Sequence, residues 1–278
     1  MMEIKKFASP REFLEYNEEL LNAQYFEHFH LHQIFSELRK GEIRLIAGYN
    51  IIDDDDSNAI IVRVREEFYI YSNKWNEKLI DFLKTELKKI QTEVKLLRGR
   101  KEIILELVER MKLKYEILND RLIYYCENVA PLSNKIHGKF GIANISDWAT
   151  IERMSVDYYI EEFEGKGQQP IDSVKASAYK GIKSGTIFKW SANGRIVSIA
   201  RLIGYNPFNA MIGGLFTKVN ERKKGYAYIL TSELTRHLLN KGISKCGLLT
   251  EATKIPTNKI FEKVGYRKAY DWINILTK

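Results

Sequence analysis

One stretch of the chain, residues 210–240, limits the fold more than any other because an apolar segment leads directly into a helix. Residues 210–219 (AMIGGLFTKV) are apolar on both faces, as expected of a central β-strand. Further on, apolar side chains recur every four residues and form one stripe that can pack on a sheet: Tyr226, Leu230, Leu234 and Leu238. Gly242 stands where the C-cap of this helix is expected. The stretch therefore predicts a strand, a loop and a helix of an α/β protein.

The loop between this strand and this helix carries an unusual charge. Arg222, Lys223 and Lys224 directly precede Gly225, after which the helix begins. A helix N-terminus already bears partial positive charge, so three more cations oppose the macrodipole. A bound anion removes the conflict because free amides and the dipole both favour negative charge. The loop therefore predicts a phosphate site, in which Gly225 allows close approach of the backbone. It contains neither a Walker loop nor a GxGxxG pattern.

Charge is distributed unevenly along the 278 residues. The chain has 44 Lys and Arg against 36 Asp and Glu, a net charge of +8. Residues 1–130 hold 21 cationic and 24 acidic side chains, a net of −3, and residues 131–278 hold 23 and 12, a net of +11. A basic half suits nucleic acid or a phosphate-bearing cofactor, although an ordinary solvated surface has the same composition. The sequence has no helix-turn-helix and no aromatic-basic RNA motif, so we expect no nucleic-acid partner.

Membrane and redox signals are weak in this sequence. No apolar run approaches the ~20 residues that span a bilayer, and the first residues lack the apolar segment of a secretory signal. Cys126 and Cys246 give neither a disulfide framework nor a metal spacing. We therefore expect a cytoplasmic protein that binds no membrane, and the oligomeric state stays open.

The predicted elements fall into two halves. In the first half the pattern predicts one helix over 11–41, strands over 42–52 and 58–72, and a hairpin over 114–129. Residues 130–139 (APLSNKIHGK), with Pro, Ser, Asn and Gly, are the predicted linker. The predicted domains are therefore 1–130 and 131–278. In the second domain Asn193-Gly194 between two apolar runs predicts a hairpin turn.

Two motifs in the second half resemble those of one enzyme superfamily. Residues 222–227 (RKKGYA) resemble the R/Q-x-x-G-x-G/A signature of the GNAT N-acyltransferases, which grips the pyrophosphate of acetyl-coenzyme A. About 30 residues on, the sequence is similar to that family's N-x-x-[YF]-x-K-x-G-[FY] pattern at Asn258, Phe261, Lys263, Gly265 and Tyr266. The resemblance covers roughly 139–278. It implies an α/β fold of the α+β type, with a mixed central sheet flanked by helices.

The resemblance also implies roles for individual residues. Backbone groups of Leu215, Phe216 and Thr217 would pair with the pantetheine arm of acetyl-CoA as if it were an added strand. Asn258 would hydrogen-bond the same arm, and Phe261 belongs to the same set of cofactor-binding residues. Adjacent Gly213 and Gly214 suit a bulge that admits the thioester, or else a packing accommodation. The pyrophosphate would lie on the predicted turn, formed by Arg222, Lys223, Lys224, Gly225, Tyr226 and Ala227. Acetyl-CoA is the only cofactor expected, with no metal.

The resemblance implies acetyl transfer to a small-molecule or peptide amine by direct attack. A primary amine must lose a proton before it attacks, and Glu251 at the end of a predicted strand is the candidate base, unless it is an ordinary exposed glutamate. Many family members carry Tyr where this chain has Phe261, so the departing thiolate lacks that acid, and Tyr266 is a weak substitute. The alternatives are a non-catalytic acyl-CoA-binding module and, with the least support, a nucleic-acid binder.

The first half contains a weaker signal of repetition. Residues 93–117 and 245–270 share a strand, loop, helix, strand order, which indicates a degenerate internal repeat. No phosphate turn precedes the first copy, so residues 1–130 predict a degenerate GNAT-like domain, or another α/β domain, without a cofactor site. His28, His30 and His32 lie in a helical pattern, where three ligands do not share a face. Residues 53–58 (DDDDSN) lack the Gly and distant Glu of an EF-hand and predict a solvated hairpin tip.

Overall fold

The chain forms two compact units whose residues are not contiguous in sequence. We describe a computed structural model over residues 2–7, 9–90, 95–132, 136–163 and 169–278. The first unit comprises Met1–Ile123, Glu251–Thr253 and Ala269–Lys278. The second unit comprises Tyr124–Thr250 and Lys254–Lys268. This division differs from the predicted boundary at residue 130, because the last ten residues of the chain join the first unit.

The first unit contains a mixed sheet in the order β1-β2-β3-β4-β5-β12. Neighbouring strands are antiparallel except for the parallel pair β4 and β5. The elements up to the end of the first half are β1 (Glu3–Phe7), α1 (Pro10–Ala23), α2 (Phe29–Arg39), β2 (Leu45–Ile52), β3 (Asn58–Val64), β4 (Glu67–Tyr71), α3 (Glu77–Ile90), β5 (Leu96–Arg100), α4 (Lys101–Met111) and β6 (Tyr115–Cys126). Ile273 and Ile275 of the last strand are fully buried in a core with side chains from β3, β4, α3, β5 and α4.

The second unit repeats this arrangement in the order β7-β8-β9-β10-β11. Its strands are antiparallel except for the parallel pair β10 and β11. The elements in the second half of the chain are β7 (Lys139–Ile142), a 3-10 turn (Ile145–Asp147), α5 (Trp148–Glu162), α6 (Ile171–Lys183), β8 (Ile187–Ala192), β9 (Arg195–Tyr205), β10 (Asn209–Thr217), a 3-10 turn (Val219–Glu221), α7 (Tyr226–Asn240), β11 (Lys245–Glu251), α8 (Ile255–Val264) and β12 (Arg267–Thr277), whose residues from Ala269 on belong to the first unit. Side chains of α5, α6, β8, β9 and β10 form one core cluster.

The internal repeat predicted from the sequence is confirmed by the order of elements. Apart from the 3-10 turns, β1 to β6 and β7 to β12 follow the same order of one strand, two helices, three strands, a helix, a strand, a helix and a strand. The parallel pair also occupies the same place in each half: β4 and β5 in the first half correspond to β10 and β11 in the second. The mixed sheets flanked by helices confirm the predicted fold class.

Three of the predicted elements in the first half are wrong. Residues 11–41 form two helices separated by a turn at residues 24–28, in which His28 Nδ1 donates to the Gln24 carbonyl at 3.1 Å. Residues 58–72 form two strands, because Arg65 takes a left-handed φ of 49° and turns the chain. The predicted hairpin at 114–129 is the single strand β6. Strand β1 was not predicted.

The predicted hairpin does not form because Asn119 and Asp120, its expected turn residues, are extended within β6. The carbonyl of Asp120 accepts a hydrogen bond from the Ala252 amide at 2.8 Å, and its carboxylate pairs with Lys101 at 2.6 Å. Both partners are distant in sequence. Long-range hydrogen bonding and ion pairing therefore override the local turn signal. Of the predicted linker 130–139, residues 133–135 lie outside the described part of the chain.

Candidate functional site

The parallel strands β10 and β11 of the second unit part from each other along their length. Their register pairs Asn209 with Lys245 and continues to Ile212 with Leu248. Beyond that pair β10 runs on to Thr217 and β11 to Glu251. The last five residues of β10 therefore face a widening gap, with the polar backbone edge of a strand along one side of it.

A β-bulge on β10 lies at the beginning of this gap. The register with β9 pairs Gly213 with Arg201 but Phe216 with Ile199, so β10 contains one extra residue. Gly214 within the bulge has φ 57°, a left-handed conformation that favours glycine. The bulge predicted at Gly213 and Gly214 is confirmed, and it redirects the strand at the point where β11 departs.

The predicted phosphate turn connects the end of β10 to α7. A 3-10 turn is followed by Lys223 with φ 64° and Gly225 with φ 81°, and α7 begins at Tyr226 as predicted. The Ile229 amide donates to the Gly225 carbonyl at 3.0 Å, which is the first backbone hydrogen bond of α7. The preceding amides are those that a helix start leaves without an intrahelical acceptor. The turn therefore presents N–H groups and the positive end of the helix dipole at one place.

The three cations of this turn do not act alike. Arg222 pairs with Glu161 at 2.5 Å and donates through Nε to the Thr217 carbonyl at 3.1 Å. Lys224 pairs with Glu221 at 2.7 Å. Lys223 is exposed and has no ion pair within the described part of the chain. Two of the three charges are thus offset by carboxylates, which explains how the helix start tolerates them and leaves Lys223 as the free cation.

Gly225 is constrained on its side-chain face. A Cβ at this position would lie 2.7 Å from Ile136 Cδ1, closer than real carbon contacts. The positive φ and this contact together require glycine. The sequence predicted glycine here because of the approach of a phosphate, and the structure adds a packing reason within the protein.

The second predicted signature begins on α8, and its Asn258, Phe261 and Tyr266 are buried. The Thr250 hydroxyl donates to Asn258 Oδ1 at 3.0 Å. Phe261 packs against the rings of Tyr124 (centroids 6.4 Å apart) and Tyr266 (6.2 Å). The Asn258 side chain is therefore held by a residue at the end of β11. Phe261 packs in an aromatic cluster and has no hydroxyl to offer.

Tyr266 has a structural position. It is 3% exposed, and its hydroxyl shares a 2.7 Å hydrogen bond with Thr235 of α7. Burial raises the pKa of Tyr266 well above 10. A hydroxyl held inside the core by another helix has a packing role, and the assignment of Tyr266 as a weak acid stays a prediction.

Glu251, the candidate base, belongs by its contacts to the first unit. Arg121 of β6 approaches its carboxylate at 2.9 Å, and the two side chains are 13% and 20% exposed. This ion pair was not predicted, because Arg121 lies 130 residues away in sequence. The assignment of Glu251 as base stays a prediction.

The first unit has no equivalent of the gap at its own parallel pair. The register of β4 and β5 runs from Glu67 with Leu96 to Ile70 with Gly99, one residue short of both strand ends. A Cβ at Gly99 would lie 1.9 Å from the Ile70 carbonyl oxygen, which shows how closely the two strands approach. The strands therefore stay together where β10 and β11 separate.

The helix that follows β4 is also closed to an anion. The Asn76 side chain accepts from the Leu79 amide at 2.9 Å and so occupies an amide at the start of α3. Its own amide group donates to Asp53 at 2.8 Å and to Asp55 at 3.1 Å. An internal cap beside two acidic side chains disfavours phosphate at this helix start, and the absence of a cofactor site from the first half stays a prediction.

The three histidines of the first unit are each engaged by the protein. His28 contacts the Gln24 carbonyl, His32 the Leu21 carbonyl at 2.9 Å, and His30 stacks on Trp272 with centroids 4.3 Å apart. No group of three or more His, Cys, Asp or Glu is arranged to hold a metal among the described residues. Across the same residues, no helix has both the length and the apolar character to cross a bilayer.

The burial of His28 predicts acid sensitivity. Burial lowers the pKa of His28 to about 4, below its ordinary 6.5. As pH falls, His28 binds a proton in the unfolded chain before it does so in the folded chain. Its contribution to the free energy of unfolding, present in full above pH 6.5, is therefore lost between pH 6.5 and 4. From pH 7 to pH 5 we expect His28 to contribute a loss of about 2 kcal/mol in the free energy of unfolding, measured by urea denaturation. His28→Asn should reduce the loss, and the exposed His137→Asn should not; equal pH dependence in both variants would contradict the assignment.

Comparison with known proteins agrees with this geometry. Residues 194–273 match the family model described as FR47-like protein. No curated protein matches the sequence of this chain. A GNAT-family acetyltransferase from Colwellia psychrerythraea superposes with a TM-score of 0.60 at 14% identity, covering 99% of this chain and 100% of that one. A GCN5-related N-acetyltransferase from Sphaerobacter thermophilus gives a TM-score of 0.56 at 13% identity, covering 82% and 79%.

A third solved structure, a Drosophila protein, gives a TM-score of 0.55 at 11% identity and covers 99% of this chain and 98% of that one. At these identities the likeness concerns the fold, and it extends over both units. The repeated order of elements and the single open strand pair are consistent with it. The chain therefore has the fold of these GNAT-family structures, with its order of elements repeated in the two halves, and its residues 194–273 match the FR47-like family model.

Proposed function

We propose that the chain transfers an acetyl group from acetyl-CoA to a primary amine, and that the second unit alone binds the cofactor. The observation that carries this proposal is the separation of β10 and β11 beside a glycine-led helix N-terminus. The first unit has the same order of elements, yet its parallel strands stay paired and its helix start is capped by Asn76. The contrast between two copies of one fold supports the second unit as the one that binds the cofactor.

The residues of the second unit suit the chemical parts of the cofactor. A pantetheine arm contains amides, and the edge of β10 at Leu215, Phe216 and Thr217 offers the backbone partners of an added strand. A pyrophosphate fits the amides at the start of α7, with exposed Lys223 as the nearby cation. The Arg222 guanidinium, fixed to the Thr217 carbonyl, holds the end of the strand against this turn.

The reaction needs little from the protein beyond positioning and removal of a proton. Acetyl-CoA supplies a thioester whose thiol, with a pKa near 8.5, is a tolerable leaving group. Phe261 carries no hydroxyl and the buried Tyr266 hydroxyl is hydrogen-bonded to Thr235, which supports direct attack by the amine as the simplest route. The attacking amine must be neutral, and Glu251 stays our candidate to accept its proton.

A non-catalytic acyl-CoA-binding module is the second candidate. The absence of a hydroxyl at Phe261 and the structural position of Tyr266 favour it, because both remove the expected proton donor. The two candidates share the cofactor site and differ only in turnover.

Two measurements on the full chain separate these possibilities. Titration calorimetry with acetyl-CoA should give one site per chain, because the first unit is closed at its equivalent position. Release of free thiol from acetyl-CoA in the presence of a panel of primary amines should exceed the rate without amine. Binding without turnover would identify the module, and two sites or no binding would contradict the assignment of the second unit.

A further inference from the structure

We propose that Arg201 recognises a carboxylate on the acceptor, so that the substrate is an amine that carries an acid group, such as an amino acid. This inference rests on the proposed function and specifies the acceptor of the same site. Sequence analysis did not single out Arg201.

Arg201 occupies an inward position on β9. It pairs with Gly213 of β10 across the sheet, and it is two residues from Ile199 of the core cluster, so their side chains share one face. On that face its Nη2 donates to the Ser177 hydroxyl of α6 at 3.2 Å. A half-buried charged side chain therefore follows the buried Ile199 on this face, and this break in the apolar alternation is the sequence signal that could have revealed Arg201.

The stem of Arg201 lies directly over the bulge. A Cβ at Gly214 would be 2.9 Å from Arg201 Cγ and 3.0 Å from Cδ. A Cβ at the neighbouring Gly213 would meet Ile203, also at 2.9 Å. At both bulge positions the glycine backbone therefore contacts side chains of β9 directly. A side chain at either position would push Ile203 or Arg201 away.

The bulge is also where the reacting groups would meet. An arm that enters at the α7 turn runs along β10 from Thr217 toward Leu215, so its far end reaches Gly213 and the residue paired with it. The far end of the arm carries the thioester. Arg201 therefore stands beside the place that the acceptor amine must reach, on the face covered by α5 and α6.

The guanidinium lacks a carboxylate partner in this position. Among the residues that the structure describes, none places a carboxylate oxygen within 4.0 Å of it, and its Nε is buried with no hydrogen-bond acceptor. Burial lowers the pKa of Arg201, and a smaller opposing effect comes from Tyr158. Burying a cation without a counter-charge is costly, and a planar guanidinium matches a carboxylate with two parallel hydrogen bonds. A carboxylate on the acceptor would satisfy both the charge and the vacant donor.

The test compares matched amines that differ only in the acid group. Phenylalanine is set against phenethylamine, leucine against isopentylamine and β-alanine against ethylamine, with O-phosphoethanolamine as the phosphate-bearing arm. For the wild-type chain we expect kcat/KM to be at least about 100-fold higher for the carboxylated member of a productive pair. Arg201→Met should lose most of that preference by raising KM, and Arg201→Lys should recover only part of it, because Lys lacks the fork.

Two controls keep the result specific. Arg195→Met changes an exposed arginine at the start of the same strand and should leave the preference intact. The affinity for acetyl-CoA should be unchanged in all three variants, which separates acceptor recognition from loss of the cofactor site. Equal turnover of both members of each pair, a preference for O-phosphoethanolamine, or an unaltered preference in Arg201→Met would overturn the inference alone. If no amine is acetylated, the proposed function fails and the inference fails with it.

Discussion

Gly225→Val is expected to abolish acetyl-CoA binding, with an affinity loss of at least about 100-fold in titration calorimetry. A β-branched residue is strained at the φ of 81° that Gly225 adopts, and its Cβ would approach Ile136 Cδ1 to 2.7 Å. The turn must therefore rearrange, and the amides at the start of α7 would no longer converge on one point. Because the strain is local, the far-UV circular dichroism of the variant should stay close to that of the wild type.

The matched control lies at the other end of the same helix. Gly242 also has a left-handed φ, 93°, but a Cβ there would meet nothing within 4 Å. Gly242→Val imposes similar backbone strain away from the proposed phosphate site, so it should lower the melting temperature while preserving acetyl-CoA affinity. Tight binding by Gly225→Val, or equal loss of binding in both variants, would falsify the phosphate-turn assignment.

Ile273→Ala is expected to destabilise the first unit by about 2–5 kcal/mol, although this residue lies at the end of the chain. Ile273 is fully buried and pairs with Gly99 of β5, and it belongs to the core that contains Ile61 and Leu97. Truncation to Ala leaves a cavity that the sheet cannot fill. Urea unfolding should report the loss, and hydrogen exchange should show reduced protection in β5.

The control is the same substitution at an exposed strand position of the same unit. Ile52 on β2 is 50% exposed, so Ile52→Ala should cost less than about 1 kcal/mol. If Ile273→Ala were no more destabilising than Ile52→Ala, the last strand would not be part of the first unit's core. A large difference would show that the two units cannot be separated by cutting the chain at a single point.

Features that depend on adjacent residues were predictable from the sequence. Asn193 and Gly194 adopt φ values of 49° and 71°, the left-handed pair that a two-residue hairpin turn requires. Helix α7 begins directly after Gly225 because the glycine and the apolar stripe are both local signals. Signature spacing is local too, so the resemblance of 222–227 and 258–266 identified the fold, and the repeat extended it to the first half.

Tertiary structure decided what depends on partners distant in the chain. Residues 114–129 contain a turn-like Asn119-Asp120 step, yet β6 stays extended because Ala252 and Lys101 bind that step. The pairing of β12 with β5 is likewise invisible locally, because any apolar alternating strand can join any open sheet edge. The same holds for charge: the sequence determined that three cations precede α7, but only the folded chain brought Glu161 to Arg222 and left Arg201 half-buried beside the bulge. Local chemistry thus determined which elements form and where a phosphate could bind, whereas long-range packing decided which strands separate and which charges remain for a substrate.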